Sequence, residues 1–545
     1  MIAEQNSDER TRLGVVVSGS LTRGVDVKLD ASVSVEDMVV GRYVAIEGEK
    51  RRFFGMITDV SLEAVDPRVM ITPPDISDPF IARVVAGTTT YGKLRVLPML
   101  TIEGDAVSIL EGPQPVKTVP THFSEVTLAS QRDVELVFGA EDDRRFSVGT
   151  PLDMETKVCL DVSEFVKRSN GVFGKSGTGK TFLTRLLLVG MLQKQAAVSL
   201  VFDMHSEYGW EGRSEKGYKV KGLKQLFPSK VAVFALDEES SRWRKVSTDF
   251  VVKIGYDEIE PEDIELLRQT LNLTEASTQA VYQLAREFGD RKWLETILNL
   301  DDDDSKLLIA RLNIHDSTYR NLRRGLDNLR RFPFLVSHAP DNSVRRILEY
   351  LERGINVVLE FGRFDDFVAY MLVANLLSRR IYAQYREKAE KAMGGDVASS
   401  RPLVVTIEEA HRFLNPELSG RTIFGRIARE MRKYDVTLLV IDQRPSGIDD
   451  EVMSQLGTKV TCLLDDERDI DSVLTGVAGK SELKSVLSKL ETKQQALIFG
   501  HAVPMPVVIK TREYGSAQSY KELGFLEAAE FKRKTEKEIE GLWAP

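Results

Sequence analysis

A chain of 545 residues is too long for a single hydrophobic core, and 42% apolar with 29% charged residues is the balance of a folded globular protein rather than a disordered one. Its 83 acidic residues outnumber 74 lysines and arginines, for a net charge of −9, which excludes a surface coated all over in nucleic acid but leaves room for a confined basic channel. Cys159 and Cys462 lie far apart in apolar runs, so neither a disulfide framework nor a zinc site is indicated.

In chain order, residues 1–11 are polar and charged with no apolar core of a signal peptide, and read as a flexible N-terminus. The most apolar stretch, Phe182 to Phe202, is interrupted by Arg185, Gln193 and Lys194 and falls short of the ~18 uninterrupted residues a membrane span needs. A cytoplasmic, reducing setting is the expectation. Residues 12–150 carry short strand signals between glycines and charged turns: Val15-Val16-Val17, Val25 to Leu29, Tyr43 to Ile46, Phe53 to Ile57 and Val84-Val85. They predict a mostly β domain, a small barrel or sandwich.

After Val158 the pattern changes to continuous β-branched runs alternating with helical stretches. Val198 to Asp203, Val231 to Phe234, Ile355 to Glu360, Leu403 to Ile407, Val436 to Asp442 and Val460 to Leu464 predict an α/β domain whose mostly parallel sheet is covered on both faces. Phe367, Tyr370, Met371, Ala374, Leu377 and Ile381 mark one covering helix. The sheet signal stops between 261 and 335, where Ile264, Leu267, Leu271, Val281, Leu284, Leu322 and Leu326 recur at helical spacing. That segment is a helical insertion dividing the α/β domain into 151–260 and 336–512, and 513–545 is a charged helical tail. Asp301 to Asp304 read as a helix cap rather than a cation site.

Gly174-Lys175-Ser176-Gly177-Thr178-Gly179-Lys180-Thr181 satisfies G-x-x-x-x-G-K-[ST] at every position, with an apolar run before it and a leucine-rich helix beginning at Phe182 after it. Glycines at 174, 177 and 179 let backbone N–H groups turn toward phosphates, and the helix N-terminus adds partial positive charge. Residues 174–182 are therefore the nucleotide-binding set, with Lys180 reaching the β- and γ-phosphates of ATP and the Thr181 hydroxyl ligating Mg²⁺. The bland alternative is a flexible turn.

Strand Leu403 to Ile407 ends in Glu408-Glu409-Ala410-His411. In a P-loop enzyme this is where one acid meets the metal, here Glu408, and another polarises the attacking water, here Glu409. Gln443, at the end of the next strand, is placed to sense the γ-phosphate or else serves as a turn residue before Pro445. Asp203 ends another strand at the same edge and is a candidate second layer around the nucleotide. Arg429 and Arg432 share a helix face with Arg426 and are candidates to act on a neighbouring subunit's site, or are surface arginines. Arg213, Lys216, Lys219, Lys221 and Lys224, interleaved with aromatics, could track DNA phosphates without reading bases, or form a solvated loop.

Taken in order, Gly174 to Thr181, Asp203-Met-His-Ser-Glu-Tyr208, Glu408-Glu-Ala-His411 and Gln443-Arg-Pro-Ser446 resemble the HerA family of the HerA/FtsK superfamily. The resemblance implies a RecA-like ATPase with an N-terminal HAS barrel at 12–150. It also implies a hexameric ring with ATP at its interfaces, double-stranded DNA in the pore and a NurA-type nuclease docked for end resection and DNA repair. Two rival readings keep the fold: an antiphage defence ring serving another effector, and a scaffold that uses nucleotide only to control assembly.

Overall fold

The computed structural model describes residues 10–525 except 67, 72–73, 76, 81–83, 86–88, 105–110, 214–218, 365, 395–399 and 431–432. Among them, six strands close a barrel: Arg12–Ser20 (β1), Gly24–Leu29 (β2), Tyr43–Glu47 (β3), Arg51–Ala64 (β4), Thr90–Glu103 (β5) and Glu125–Leu128 (β6). Closure comes from β5 pairing with both β4 and β2, the latter through Val25 opposite Val96. Alternation fills the interior: Val25, Val27 and Leu29 of β2 point in with Val44, Ile46, Phe53, Leu94 and Val126. Register shifts at Phe54/Gly55 and Ile57/Asp59 bend β4 around the barrel. The outer face of β3 and β4 presents Tyr43, Ala45, Phe54 and Met56 to the main core, and the Tyr43 hydroxyl donates to the Pro506 carbonyl at 3.0 Å.

Two expectations for this region need correction. Val84-Val85 is helical, since a two-residue apolar pair carries no period of its own. The expected boundary at 150 is too late: Arg145–Thr150 (β7) pairs with the last strand of the ATPase sheet, with Thr150 opposite Lys510, and Phe146 packs on Gly190 of the helix that follows the glycine-rich loop.

The remaining labelled strands are Val158–Asp161 (β8), Asn170–Phe173 (β9), Val198–Asp203 (β10), Val231–Ala235 (β11), Asn356–Glu360 (β12), Leu403–Glu408 (β13), Val436–Asp442 (β14), Thr458–Thr461 (β15), Gln495–Gly500 (β16) and Val507–Thr511 (β17). With Phe250–Val251 at one edge they form a twelve-stranded sheet in the order β11, β12, β10, β13, β14, β9, β15, β16, β17, β7, β8. From Phe250–Val251 to β15 every pairing is parallel; from β15 to β8 every pairing is antiparallel. The parallel register sets Asp203 beside Glu360, Glu408 beside Ile441 and Asp442 beside Phe173, so one sheet edge collects the strand-terminal acids next to the glycine-rich loop.

Helices Glu275–Phe288, Trp293–Asn299, Asp302–Leu312 and Asp316–Asp327 make up most of the insertion. Asp301 caps the third of these by accepting from the Asp304 N–H at 2.8 Å, and Arg323 donates to the carbonyls of Leu300 and Leu298, closing the end of the second. The tail begins with Ala517–Glu522, whose neighbour Phe525 meets Phe227 edge-on at 5.0 Å; residues 526–545 lie outside the described residues. Among the described residues no helix is long and apolar enough to cross a membrane.

Candidate functional site

The glycine-rich loop leaves β9 at Gly174, where a Cβ would come within 2.8 Å of the Cys462 Cβ, so only glycine lets the chain pass. It enters helix Lys180–Lys194 through Gly179, whose φ of 98° is left-handed. Between them Ser176 and Gly177 are exposed at the tip, while the Thr178 hydroxyl donates to the Lys175 carbonyl at 2.8 Å. Lys180 Nζ donates to the same carbonyl at 2.8 Å, and Lys175 Nζ pairs with Asp465 at 2.7 Å. Burial holds the Lys180 ammonium below the usual lysine range, opposed by Glu409, Asp442 and Glu408. Phe182 lies under the Arg185 guanidinium, 5.7 Å from ring centre to cation.

The turn after β10 ties the loop to the acidic strand end. Asp203, fully buried, accepts from the N–H groups of Glu207 and Tyr208, each at 2.8 Å, and of Gly209 at 3.3 Å. The turn so fixed presents Glu207, which accepts from the Thr181 hydroxyl at 2.9 Å, and Tyr208, whose hydroxyl donates to Glu408 Oε1 at 2.9 Å. Tyr370 braces the same glutamate from behind, taking its N–H at 3.0 Å and donating to its carbonyl at 3.2 Å. Glu408 is 7% exposed, and its second oxygen, Oε2, is buried without a partner. Burial, reinforced by Asp203 and Glu207, pushes the carboxyl well above the usual range.

A buried carboxylate oxygen with no donor, on the carboxylate that Tyr208 holds from the turn carrying Glu207 to the Thr181 hydroxyl, is the donor set that a hard divalent cation completes, so the residues fit Mg²⁺. Among the described residues no cluster of three or more His, Cys, Asp or Glu forms a cage, and Mg²⁺ shared with substrate phosphates and water needs none.

Glu409 turns the other way, because its φ of 49° puts a non-glycine residue in the left-handed region. Gln443 Nε2 donates to its Oε1 at 3.1 Å. His411 lies with Nδ1 2.9 Å from Asp442 Oδ2 and 3.7 Å from Glu409 Oε2; the Asp442 hydrogen bond raises its pKa against partial burial. Arg429 is held within its own chain by Glu451 at 3.0 Å and the Ser419 hydroxyl at 3.1 Å, and Arg432 lies outside the described residues.

The basic segment divides. Lys216 and the Arg213 side chain lie outside the described residues, while the Arg213 backbone pairs with Lys219 in a two-strand ribbon. Lys219 pairs with Glu211 at 2.6 Å, Lys221 lies over the Tyr520 ring at 5.0 Å, and Lys224 is held by the Val231 carbonyl at 2.8 Å and by Asp249 at 3.0 Å. Lys224 thus serves the fold, bracing the loop against β11.

Residues 146–381 match the family model described as "Helicase HerA, central domain". "DNA double-strand break repair helicase HerA" of Sulfurisphaera tokodaii is 24% identical over 508 residues, covering 92% of this chain and 93% of the relative. The protein of the same name from Pyrococcus furiosus is 24% identical over 424 residues, 72% of this chain and 73% of that one. Along most of its length this chain is similar to HerA-family helicases, and residues 146–381 carry the match to their central domain. Like them it is a P-loop ATPase, with a barrel in front of the catalytic sheet. A looser superposition pairs it with VirB4 of Thermoanaerobacter pseudethanolicus, at TM-score 0.47 and 14% identity over 70% of this chain and 100% of that one.

In this site, sequence reasoning overlooked roles for Glu207, Tyr208, Tyr370 and the His411–Asp442 pair. Asp203-x-x-x-Glu207-Tyr208 after a strand did carry a signal: a terminal Asp followed by a tight turn fixes where the next side chains point. Tyr370, 38 positions from Glu408, carried none.

Proposed function

We propose that this HerA-like ATPase is a homo-hexameric, ATP-driven translocase or helicase of double-stranded DNA that works in the cytoplasm with a NurA-type nuclease in DNA end resection. The observation that carries the hydrolytic part is the unpartnered Glu408 Oε2, on the carboxylate that Tyr208 holds beside the turn engaging Thr181. Mg²⁺, when bound, would supply positive charge to the phosphates. Thr181 and Glu408 would hold it, with Glu207 orienting the Thr181 hydroxyl and Tyr208 orienting the Glu408 carboxylate. Lys180, now turned onto the Lys175 carbonyl, swings to the phosphates. Glu409 takes a proton from the water that attacks the γ-phosphorus as the bond to the β–γ bridging oxygen breaks, giving ADP and phosphate. Gln443 steadies Glu409 for that step.

The DNA part is supported by the order of motifs along the chain and by relatives named DNA double-strand break repair helicases. Arg213 and Lys216, Lys219 and Lys221 are the proposed phosphate contacts, and Arg429 or Arg432 the proposed arginine acting in trans. Duplex-stimulated ATP hydrolysis together with displacement of streptavidin from biotinylated duplex is the expected outcome. A protein that hydrolyses ATP at the same rate with and without duplex across a range of salt, and displaces nothing, is not a DNA motor.

A further inference from the structure

The opposite edge of the parallel sheet, at the N-terminal ends of β10, β12 and β13, contains a cavity of about 240 Å³. It lies about 20 Å from the acidic edge, the length of a six-residue strand. Its lining brings together Lys230, Arg353 and Arg401 and contains no carboxylate. None of the three makes an ion pair among the described residues. Elsewhere this chain pairs its edge arginines closely: Arg363 with Asp237 and Glu239, Arg379 with Asp263, Arg512 with Glu141. Here Lys230 is half-buried and Arg353 and Arg401 are exposed, so solvent screens part of their mutual repulsion and a bound anion would remove the rest.

The floor of the cavity is rigid. Asn356 accepts from the Ser199 N–H at 2.8 Å and donates to the Lys230 carbonyl at 3.0 Å, while the Val198 N–H donates to the Pro402 carbonyl at 2.8 Å. Gly354, at φ 80°, has no Cβ where one would come within 3.2 Å of an Arg401 guanidinium nitrogen, which leaves that guanidinium room at the wall. Arg353 follows helix Ser343–Glu352, whose terminal carbonyls favour one cation; they do not account for Lys230 or Arg401, which precede strands.

We propose that this cavity is a second phosphoryl-binding site, separate from the glycine-rich loop, which takes a phosphate or pyrophosphate group either free or carried on a nucleic-acid backbone. The volume is below the about 300 Å³ at which pockets begin to hold whole drug-sized ligands, so it seats one or two phosphoryl groups and not a complete nucleotide. Two guanidinium forks and an ammonium match the charge and the planar donor geometry of a phosphoryl di- or trianion, whereas a single carboxylate would neutralise only one of the three.

The test uses the full chain carrying Lys180→Ala, which weakens phosphate binding at the glycine-rich loop, with inorganic pyrophosphate as the titrant in calorimetry. One remaining site is expected. Adding Arg353→Ala and Arg401→Ala should weaken it at least about tenfold, as loss of charge-assisted hydrogen bonds does. The control Arg320→Ala, an exposed arginine paired with Asp316, should leave it intact. If the double variant does not fold, Lys230→Gln alone decides by the same criterion. Duplex binding then separates the sources: a salt-dependence slope lowered by about 0.9 for each lost contact identifies a DNA backbone phosphate, and an unchanged slope identifies the free ion. A Lys180→Ala chain that binds no pyrophosphate, or one whose binding ignores all three cations, overturns the proposal.

Discussion

The two edges of the parallel sheet are electrostatic opposites. At the C-terminal edge Glu360, Asp203, Glu408 and Asp442 gather in a buried row, and the glycine-rich loop supplies Lys180. At the N-terminal edge Lys230, Arg353 and Arg401 face a cavity without one acid. Glu360 and Asp442 find protein partners in Arg244 and His411, whereas Glu408 keeps a buried oxygen without a donor, and at the other edge the three cations meet no acid in the cavity lining. Under the two proposals above, the unpartnered Glu408 oxygen would meet a cation at one edge and the acid-free cavity an anion at the other.

The largest test of the acidic edge is Glu409→Gln. Removing the base should lower ATP turnover on the order of 10²–10⁴-fold while leaving ATP bound, read by single-turnover hydrolysis beside a filter-binding assay. Wild-type hydrolysis in that variant would remove Glu409 from its role. Lys180→Ala comes next, with turnover falling on the order of 10²–10³-fold because charge developing on the phosphates loses its closest cation. Here nucleotide affinity should fall as well, which distinguishes the two variants.

Tyr208→Phe sharpens the comparison from within the fold. It strips Glu408 of its hydroxyl donor and should cost about 1–3 kcal/mol in thermal stability without metal. Mg²⁺ and ADP should recover much of that loss. An equal loss with and without Mg²⁺ would mean that Glu408 does not meet the metal.

A contrast to both edges is a buried cation that needs no outside partner. Lys459 in β15 donates to the carbonyls of Val473 at 2.8 Å and Thr475 at 3.1 Å, and burial lowers its pKa from the usual 10.5 to about 8. Between those values the native state binds fewer protons than the unfolded chain, so stability rises with pH through that window. Relative to Lys459→Met, the wild type should gain at most about 3 kcal/mol between pH 8 and 10.5, measured from denaturant midpoints. A flat difference would show that its carbonyl partners offset the burial completely.

Much of the acidic edge was legible from sequence because backbone periodicity alone places it. A continuous apolar run that stops at Glu408 or Asp442 in a parallel sheet must put that residue at the ligand edge, and Gln443 follows one step later. The contacts that make the edge work were not legible. Tyr208 meets Glu408 across 200 positions, and only the adjacency of β10 and β13 creates that meeting. Within the basic segment, composition could not separate Lys224, which is held by Asp249 from beyond β11, from its neighbours. β7, β8, β16 and β17 escaped notice as part of the catalytic sheet because they are antiparallel, and β7 adjoins the barrel in sequence. The cationic cavity escaped because its three charges come from separate connections.

Glu409 carries a final consequence. A side chain at φ 49° costs about 1–2 kcal/mol that glycine would not incur, so Glu409→Gly should melt later than the wild type even as it stops hydrolysing ATP. At that single position backbone ease and the proposed catalytic role pull against each other, because the base would sit in a left-handed turn that glycine adopts more readily.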